Sequence, residues 1–364
     1  MKYIDEYRDR ELMERHLERI ASRVRSRWTI MEVCGGQTHA LLKHGIDRRL
    51  PENISLIHGP GCPVCVTPAE TVDQAIEIAL RPEVIFCTFG DMLRVPGSES
   101  DLMTARAAGG DIRMLYSPLE AVRLAQDHPN RQVVFFAIGF ETTAPVVATA
   151  VLQAENERLS NFTILAAQVR IPPAMSAILG MRPRMVNAFL APGHVCAVTG
   201  ADEYAELVAK YHVPIVITGF EPVDLLQGIY MAVDQLERDV AELQNQYARA
   251  VRDRGNRIAK ERIERVFESV DRHWRGLGMI PASGFALREQ YARYDAVLRF
   301  SPSVIATEQG DTWCGQVLSG AIKPTACPNF GTRCTPDSPA GPCMVSAEGA
   351  CAAYFRYATK QSGG

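Results

Sequence analysis

The chain has 364 residues, enough for two or three domains, and its 47% hydrophobic content can fill their cores. Its 39 basic and 42 acidic residues are spread along the chain for a net charge of -3, which gives no one-sided field to attract nucleic acid or an anionic membrane surface. No apolar run reaches the ~20 residues that span a bilayer, and the opening MKYIDEYRDRELMERHLERI is too charged for a signal peptide, so a cytoplasmic location is expected.

In chain order, residues 5–25 read as an amphipathic helix with Leu12, Leu17, Ile20 and Val24 on one side. Strand-like apolar runs follow at WTIMEV (28–33), ISLIH (54–58), EVIFCTF (83–89), DIRML (111–115), QVVFFAIGF (132–140), FTILAAQV (162–169) and VPIVITGF (213–220). Helical stretches such as PAETVDQAIEIAL and ETTAPVVATAVLQAENERL separate most of them. Strands alternating with helices predict parallel sheets with helical crossovers, in two α/β units split near residue 130. Three strands end alike, in TFGDM (88–92), IGFETT (138–143) and TGFEP (218–222), a weak internal repeat. Because ligands of open α/β sheets bind at the carboxyl ends of strands, Asp91, Glu141 and Glu221 are candidates for a crevice. The simpler reading puts each acid near the first turn of a helix, where the dipole favours it. From Pro222 a long helical stretch is predicted, with Ile229, Val233, Leu236, Val240, Leu243, Tyr247 and Val251 as packing positions, and it resumes after Gly255 from Ile258 to Phe267. Beyond Trp274 the chain is rich in Gly, Pro and Cys, a composition that needs a staple to fold compactly.

The ten cysteines carry most of the chemical information, because in a reducing compartment their clustering points to metal binding or thiol redox work rather than structural disulfides. Cys314, Cys327, Cys334 and Cys351 stand as C-x12-C-x6-C-x16-C, with Cys343 between the last two. Four thiolates suit Zn²⁺ or an iron–sulfur cluster, and uneven spacing without paired C-x2-C knuckles suits a [4Fe–4S] cube better. Which four of the five thiols bind is not fixed by spacing. In GPGCPVC (59–65), Cys62 and Cys65 precede a predicted helix start with Thr67 as N-cap, Pro68 in the first turn and Glu70 as capping-box partner. A C-x-x-C pair beside a helix N-terminus suits reversible disulfide formation or metal handoff. In WTIMEVCGGQTHALLKHG, Cys34 follows a strand, Gly35 and Gly36 permit close backbone approach, and Thr38-His39 open a short helix closed near Gly45. Cys34 and His39 could be nucleophile and base, or share one metal ion; core filling is the alternative. Cys87 and Cys196 read as filler. His194, beside Gly193, is an outside candidate for a ligand contact.

Together, CGGQTH (34–39), GPGCPVC (59–65), GFETT (139–143) and the terminal C-x12-C-x6-C-x16-C resemble the HypD family of [NiFe]-hydrogenase maturation factors, in order across nearly the whole chain. Gln37 departs from the histidine of many members, while Cys34 and His39 match. The resemblance implies a scaffold that, with a HypC-type chaperone, builds the Fe(CN)2CO group later delivered to the hydrogenase large subunit. A HypE-type carrier would bring cyanide as a thiocyanate. Cys34 would hold the iron, Cys62 and Cys65 would be the redox pair, and Cys314, Cys327, Cys334 and Cys351 would hold a [4Fe–4S] cluster, leaving Cys343 out. His39 and Glu141 would supply protons or orient the incoming partner. The expected layout is an N-terminal helix (1–28), two similar parallel-sheet α/β domains (29–130 and 131–224) and a helical and irregular cysteine-rich cluster domain (225–364). Two rival readings are a cluster-fed thiol–disulfide reductase, similar in logic to ferredoxin:thioredoxin reductase, and a zinc-stapled binding protein.

Overall fold

A computed structural model describes residues 5–303 and 313–358. Gly310, Asp311 and Thr312, which open the GDTWC stretch, lie outside the described residues. The strands are β1 (Trp28–Glu32), β2 (Ile54–His58), β3 (Val84–Thr88), β4 (Asp111–Met114), β5 (Gln132–Gly139), β6 (Phe162–Gln168), β7 (Ala188–Pro192), β8 (Ile215–Thr218), β9 (Leu243–Asn245), β10 (Phe267–Trp274) and β11 (Gly278–Leu287). Seven are the runs expected from sequence; the four after β6 other than β8 were not expected. AFLAP is short and ends in Pro, and the hairpin β10–β11 carries charges at FESVDRHW, so neither shows a long apolar signal.

The chain forms two compact units, each an α/β structure on a parallel sheet. One takes the described residues of Met1–Cys62, Ala174–Asn256 and Trp313–Gly364, the other those of Pro63–Pro173 and Arg257–Thr312. This differs from a linear division near residue 130: the units interleave along the chain. The physical reason is that parallel strands need long crossovers, and here the crossover from β2 to β7 contains the whole parallel sheet of the second unit, β3–β6, while its hairpin β10–β11 follows β9.

In the first unit the sheet order is β2-β1-β7-β8-β9, all parallel. From β1 the chain moves to one side to make β2, then returns to the other side to make β7. The switch point of this open sheet therefore lies between the carboxyl ends of β1 and β7, where such folds bind ligands. The Pro222–Glu237 helix packs on the N-terminal helix Arg10–Arg23, and Ile20, Ile30, Leu41, Leu190, Leu226 and Ile229 share one buried core. In the second unit the order β4-β3-β5-β6 repeats the same progression, with its switch point between β3 and β5. The C-terminal segment joins the first unit and is irregular, with short helices at Trp313–Leu318 and Pro342–Val345 and a longer one at Ala350–Tyr357.

The expected long helix after Pro222 stops at Glu237. Asp239 takes a left-handed backbone (φ 54°), Val240 N donates to Gln235 O, and the Gln235 side chain accepts from Glu242 N, which turns the chain into β9. Ile229, Val233 and Leu236 are helical packing positions, whereas Leu243 lies in a strand and the remaining three of the series fall in loops. The helix after the C-x-x-C motif also starts differently. Thr67 donates its hydroxyl to Pro63 O instead of capping Ala69–Ala79, and Glu70 accepts from His273 Nδ1 at 2.5 Å instead of reaching back. A partner from β10 outcompetes the local capping box.

Candidate functional site

Cys34 stands at the switch point of the first sheet, one residue beyond Val33, as the N-cap of the helix Gly35–Lys43. Its carbonyl receives Gln37 N and Thr38 N, and the backbone N–H groups of Gly36 and Gln37 also act on its sulfur. Three glycines explain how the loop closes. A Cβ on Gly61 would lie 2.2 Å from Cys34 N, one on Gly35 would lie 2.4 Å from Glu348 O, and one on Gly36 would press Phe220 at 3.3 Å. Gly35 N donates to Gly61 O at 2.8 Å and Gly59 N to Glu32 O at 2.8 Å. The GPG segment thus lies against the Cys34 backbone, and Cys62 is the next residue in the chain.

Beneath Cys34 is a carboxylate removed from solvent. Glu32, 0% exposed, accepts Cys34 N on Oε2 at 2.9 Å, and on Oε1 both the Thr38 hydroxyl and His58 Nδ1, the latter at 2.6 Å. His58 Nε2 faces the Tyr354 hydroxyl at 3.0 Å. A carboxyl group buried this deeply needs such partners to offset its desolvation. Glu32, His58 and Tyr354 have no motif of their own in the sequence; a lone Glu inside the apolar run WTIMEV, at a position that should be buried, is the available signal.

The imidazole that meets Cys34 is His194, not His39. Both ring nitrogens of His194 lie 3.9 Å from Cys34 Sγ, and its ring stacks on Phe220 at 4.9 Å between centroids. His194 opens the helix Gly193–Thr199 after β7, so the two strands flanking the switch point each contribute one soft or borderline ligand atom. Burial holds the His194 pKa below its ordinary value, keeping the ring neutral, and burial followed by the Glu32 and Glu348 charges pushes the Cys34 thiol up. A neutral imidazole beside a protonated thiol is a pair that a metal ion can bind by displacing one proton. His39 instead turns to Tyr357, with Nε2 3.0 Å from the hydroxyl. Gln37 donates to Thr218 Oγ1 at 2.6 Å and to Ala191 O at 3.1 Å, tying the Cys34 helix to the ends of β7 and β8.

Cys62 and Cys65 are disulfide-bonded and buried, with Cys65 in the short helix Pro63–Val66. In the second unit Arg275, from the turn of the β10–β11 hairpin, braces the segment that follows: it donates Nε to Thr67 O and Nη2 to Pro96 O, both at 2.7 Å, and its backbone N to Val66 O. Glu141, 2% exposed, accepts Ile171 N at 2.9 Å at the switch point of the second sheet. Glu221 caps the Pro222–Glu237 helix in a capping box with Asp224 and pairs with Arg8, the simpler of the two sequence readings. Cys87 is sealed in β3, where burial pushes its thiol up to about 12, and Cys196 is buried in the helix Gly193–Thr199.

In the C-terminal segment, Cys343 is 0% exposed and hydrogen-bonds with both Cys314 and Cys351, and these bonds and burial raise its thiol pKa. Cys334 is close enough to Cys351 and Cys314 to interact with both, and its sulfur accepts Ala340 N at 3.3 Å. A Cβ at Gly341 would stand 2.4 Å from Cys314 Sγ, so glycine is needed there. Cys327 begins the turn that returns to Cys334, with its carbonyl accepting Phe330 N. The thiol expected to stand apart is thus in contact with two of the expected set. Among the described residues no three His, Cys, Asp or Glu side chains converge closely enough to hold a single metal ion. Cys314, Cys334, Cys343 and Cys351 gather soft sulfur donors in one irregular segment, a donor set compatible with zinc or an iron–sulfur cluster.

Comparison with known proteins places this architecture in a family. Residues 11–358 match the family model described as the hydrogenase formation hypA family. The chain is 45% identical over 371 residues to the hydrogenase maturation factor HypD of Escherichia coli (strain K12), covering 100% of both chains. It is 48% identical over 367 residues to the factor of the same name from Azotobacter vinelandii, covering 98% of this chain and 97% of that one. The Cupriavidus necator factor is 44% identical over 375 residues, again covering 98% and 97%.

Proposed function

This chain belongs to the HypD family of hydrogenase maturation factors, and on that premise we propose that it is the scaffold on which the Fe(CN)2CO group of [NiFe]-hydrogenase is assembled, with Cys34 as the iron-holding thiol. The observation that carries the reading is the pairing of Cys34 Sγ with the His194 ring at 3.9 Å, at the ligand-binding end of a parallel sheet. Iron is the cargo. Cys34 loses its proton on binding it, and neutral His194 offers a nitrogen lone pair beside the sulfur. A HypC-type chaperone would supply a further thiol, and a HypE-type carrier would bring cyanide as a thiocyanate.

Cyanide transfer from a thiocyanate is reductive. The carrier's S–CN bond breaks, the carrier sulfur leaves as a thiol, and cyanide joins iron; the two electrons come from the reduced Cys62/Cys65 pair, which closes to the disulfide and releases one net proton. On this reading a disulfide between Cys62 and Cys65 would be the spent form of that pair. Cys314, Cys334 and Cys351, with Cys327 or Cys343, would hold a [4Fe–4S] cluster, which when bound supplies electrons singly for recharging the pair. His39 and Glu141 enter as orienting residues: His39 through Tyr357, and Glu141 through the backbone of Ile171.

The test is anaerobic isolation of the chain with a HypC-type partner, followed by metal analysis and infrared spectroscopy. About four irons per chain beyond the cargo, together with cyanide and carbon monoxide bands, are expected. Cys34→Ser should abolish the bands and keep the cluster iron, and Cys62→Ser should keep the cluster and cargo iron but lose cyanide. Zinc in place of iron would overturn the cluster assignment, and bands surviving in Cys34→Ser would overturn the scaffold assignment. Turnover of disulfide substrates with no cargo iron would favour the reductase reading.

A further inference from the structure

The helix Ala350–Tyr357 carries Cys351 and lies on the helix that Cys34 caps. Two tyrosines three residues apart reach out from it. Tyr354 places its hydroxyl 3.0 Å from His58 Nε2 with the rings edge to face at 5.2 Å, and Tyr357 places its hydroxyl 3.0 Å from His39 Nε2 with the rings edge to face at 5.0 Å. Between them Leu42, Ala353 and Tyr354 form a small apolar cluster of their own. At the other end of the interface Glu348 abuts Gly35, and the Ala347 backbone bonds the His39 side chain.

Both tyrosines connect to Cys34 through intermediate residues. Tyr354 is bonded to His58, His58 to Glu32, and Glu32 to the Cys34 backbone N–H. Tyr357 holds the histidine that lies on the helix whose first carbonyl is that of Cys34. The backbone N–H groups of Gly36 and Gln37, in the first turn of that helix, act on the sulfur, so its aim at His194 follows whatever fixes the Cys34 backbone and the helix axis. A helix end without such fixing frays.

We propose that the helix Ala350–Tyr357 is the positioning element of Cys34, and that Tyr354 and Tyr357 are positioning residues acting through His58–Glu32 and His39. The inference concerns geometry at Cys34. It does not depend on what that thiol holds, and its readout contains no iron, so its failure is distinguishable from failure of the assembly reading.

The test uses the full chain expressed without partner proteins and follows alkylation by iodoacetamide at each thiol by peptide mass spectrometry. Tyr354→Phe/Tyr357→Phe removes two hydroxyls and keeps both rings. It should speed Cys34 alkylation about tenfold, as loss of two hydrogen bonds to a local opening would, while Cys87 and Cys196 stay at the native rate. Cys34 reactivity within about twofold of native, or a parallel rise at all three thiols, would mean that the tyrosines are general packing and would overturn the proposal. If the double variant does not fold, the half-buried Tyr357→Phe alone decides between the same outcomes, with about a threefold rise expected.

Discussion

Gly61 shows how closely single atoms define this site. Its absent Cβ would stand 2.2 Å from Cys34 N and 2.4 Å from Cys34 Cα, both backbone atoms with no rotamer to yield. Gly61→Ala should therefore cost about 3 kcal/mol in urea unfolding, at the upper end of overpacking penalties, and should displace Cys34 as read by its alkylation rate. Gly45 makes the contrast. Its φ of 62° disfavours alanine, but nothing lies within 4 Å of the added carbon, so Gly45→Ala should cost about 1 kcal/mol and leave Cys34 reactivity unchanged. Charge acts at the same scale. Burial, and then Arg19 and Arg15, hold His16 below its ordinary pKa. A histidine with a depressed folded pKa binds its proton more readily in the unfolded chain, so its contribution to stability is intact above about pH 6.5 and is lost as pH falls from there toward the folded value. His16→Gln should flatten the fall in thermal midpoint below pH 6.5 and leave the midpoint near pH 8 almost unchanged.

Elements are held by pairs that no local pattern announces. Asp224, 0% exposed in the first turn of the Pro222–Glu237 helix, receives Arg249 Nη1 and Nη2 at 2.7 and 2.6 Å and Gln246 Nε2 at 2.8 Å. The same guanidinium lies 3.7 Å from the Tyr7 ring centroid and 4.5 Å from that of Tyr247, and Tyr247 packs on Phe220, which stacks on His194. Arg249→Ala would leave a buried carboxylate without its cation and should cost about 3–5 kcal/mol in urea unfolding. Replacing both partners, as Asp224→Leu/Arg249→Met, should cost less than Arg249→Ala alone, because no uncompensated charge remains. A double variant as unstable as the single would show that packing over the tyrosines, not charge pairing, is what the arginine contributes.

At the scale of the whole molecule, the decisive feature is that both units are built from separated stretches of chain. The first sheet takes β1 and β2 from before residue 63 and β7, β8 and β9 from after residue 173. A fragment of residues 1–130 holds two of the five strands of that sheet and two of the four strands of the other. It should show no cooperative thermal transition by circular dichroism, and the fragment 131–224 should behave likewise, whereas the full chain should unfold cooperatively. No helix among the described residues is long and apolar enough to cross a membrane.

Seven strands, the thiol motifs and the close-approach glycines were legible in the sequence, because each is written within a window of about ten residues: alternation of apolar runs with helices, Cys-x-x-Cys spacing, Gly beside Cys. The same locality misled where a distant partner intervened, as when His273 took Glu70 from its capping box and Asp239 ended a helix whose apolar spacing continued. The partners of Cys34 were decided only by tertiary structure. His194 stands 160 residues away, Glu32 and His58 meet through parallel strand pairing, and Tyr354 arrives from the far end of the chain. Residue type and spacing determine which chemistry is available; which atoms share it is set by sheet order and helix docking, which depend on burial summed over the whole chain.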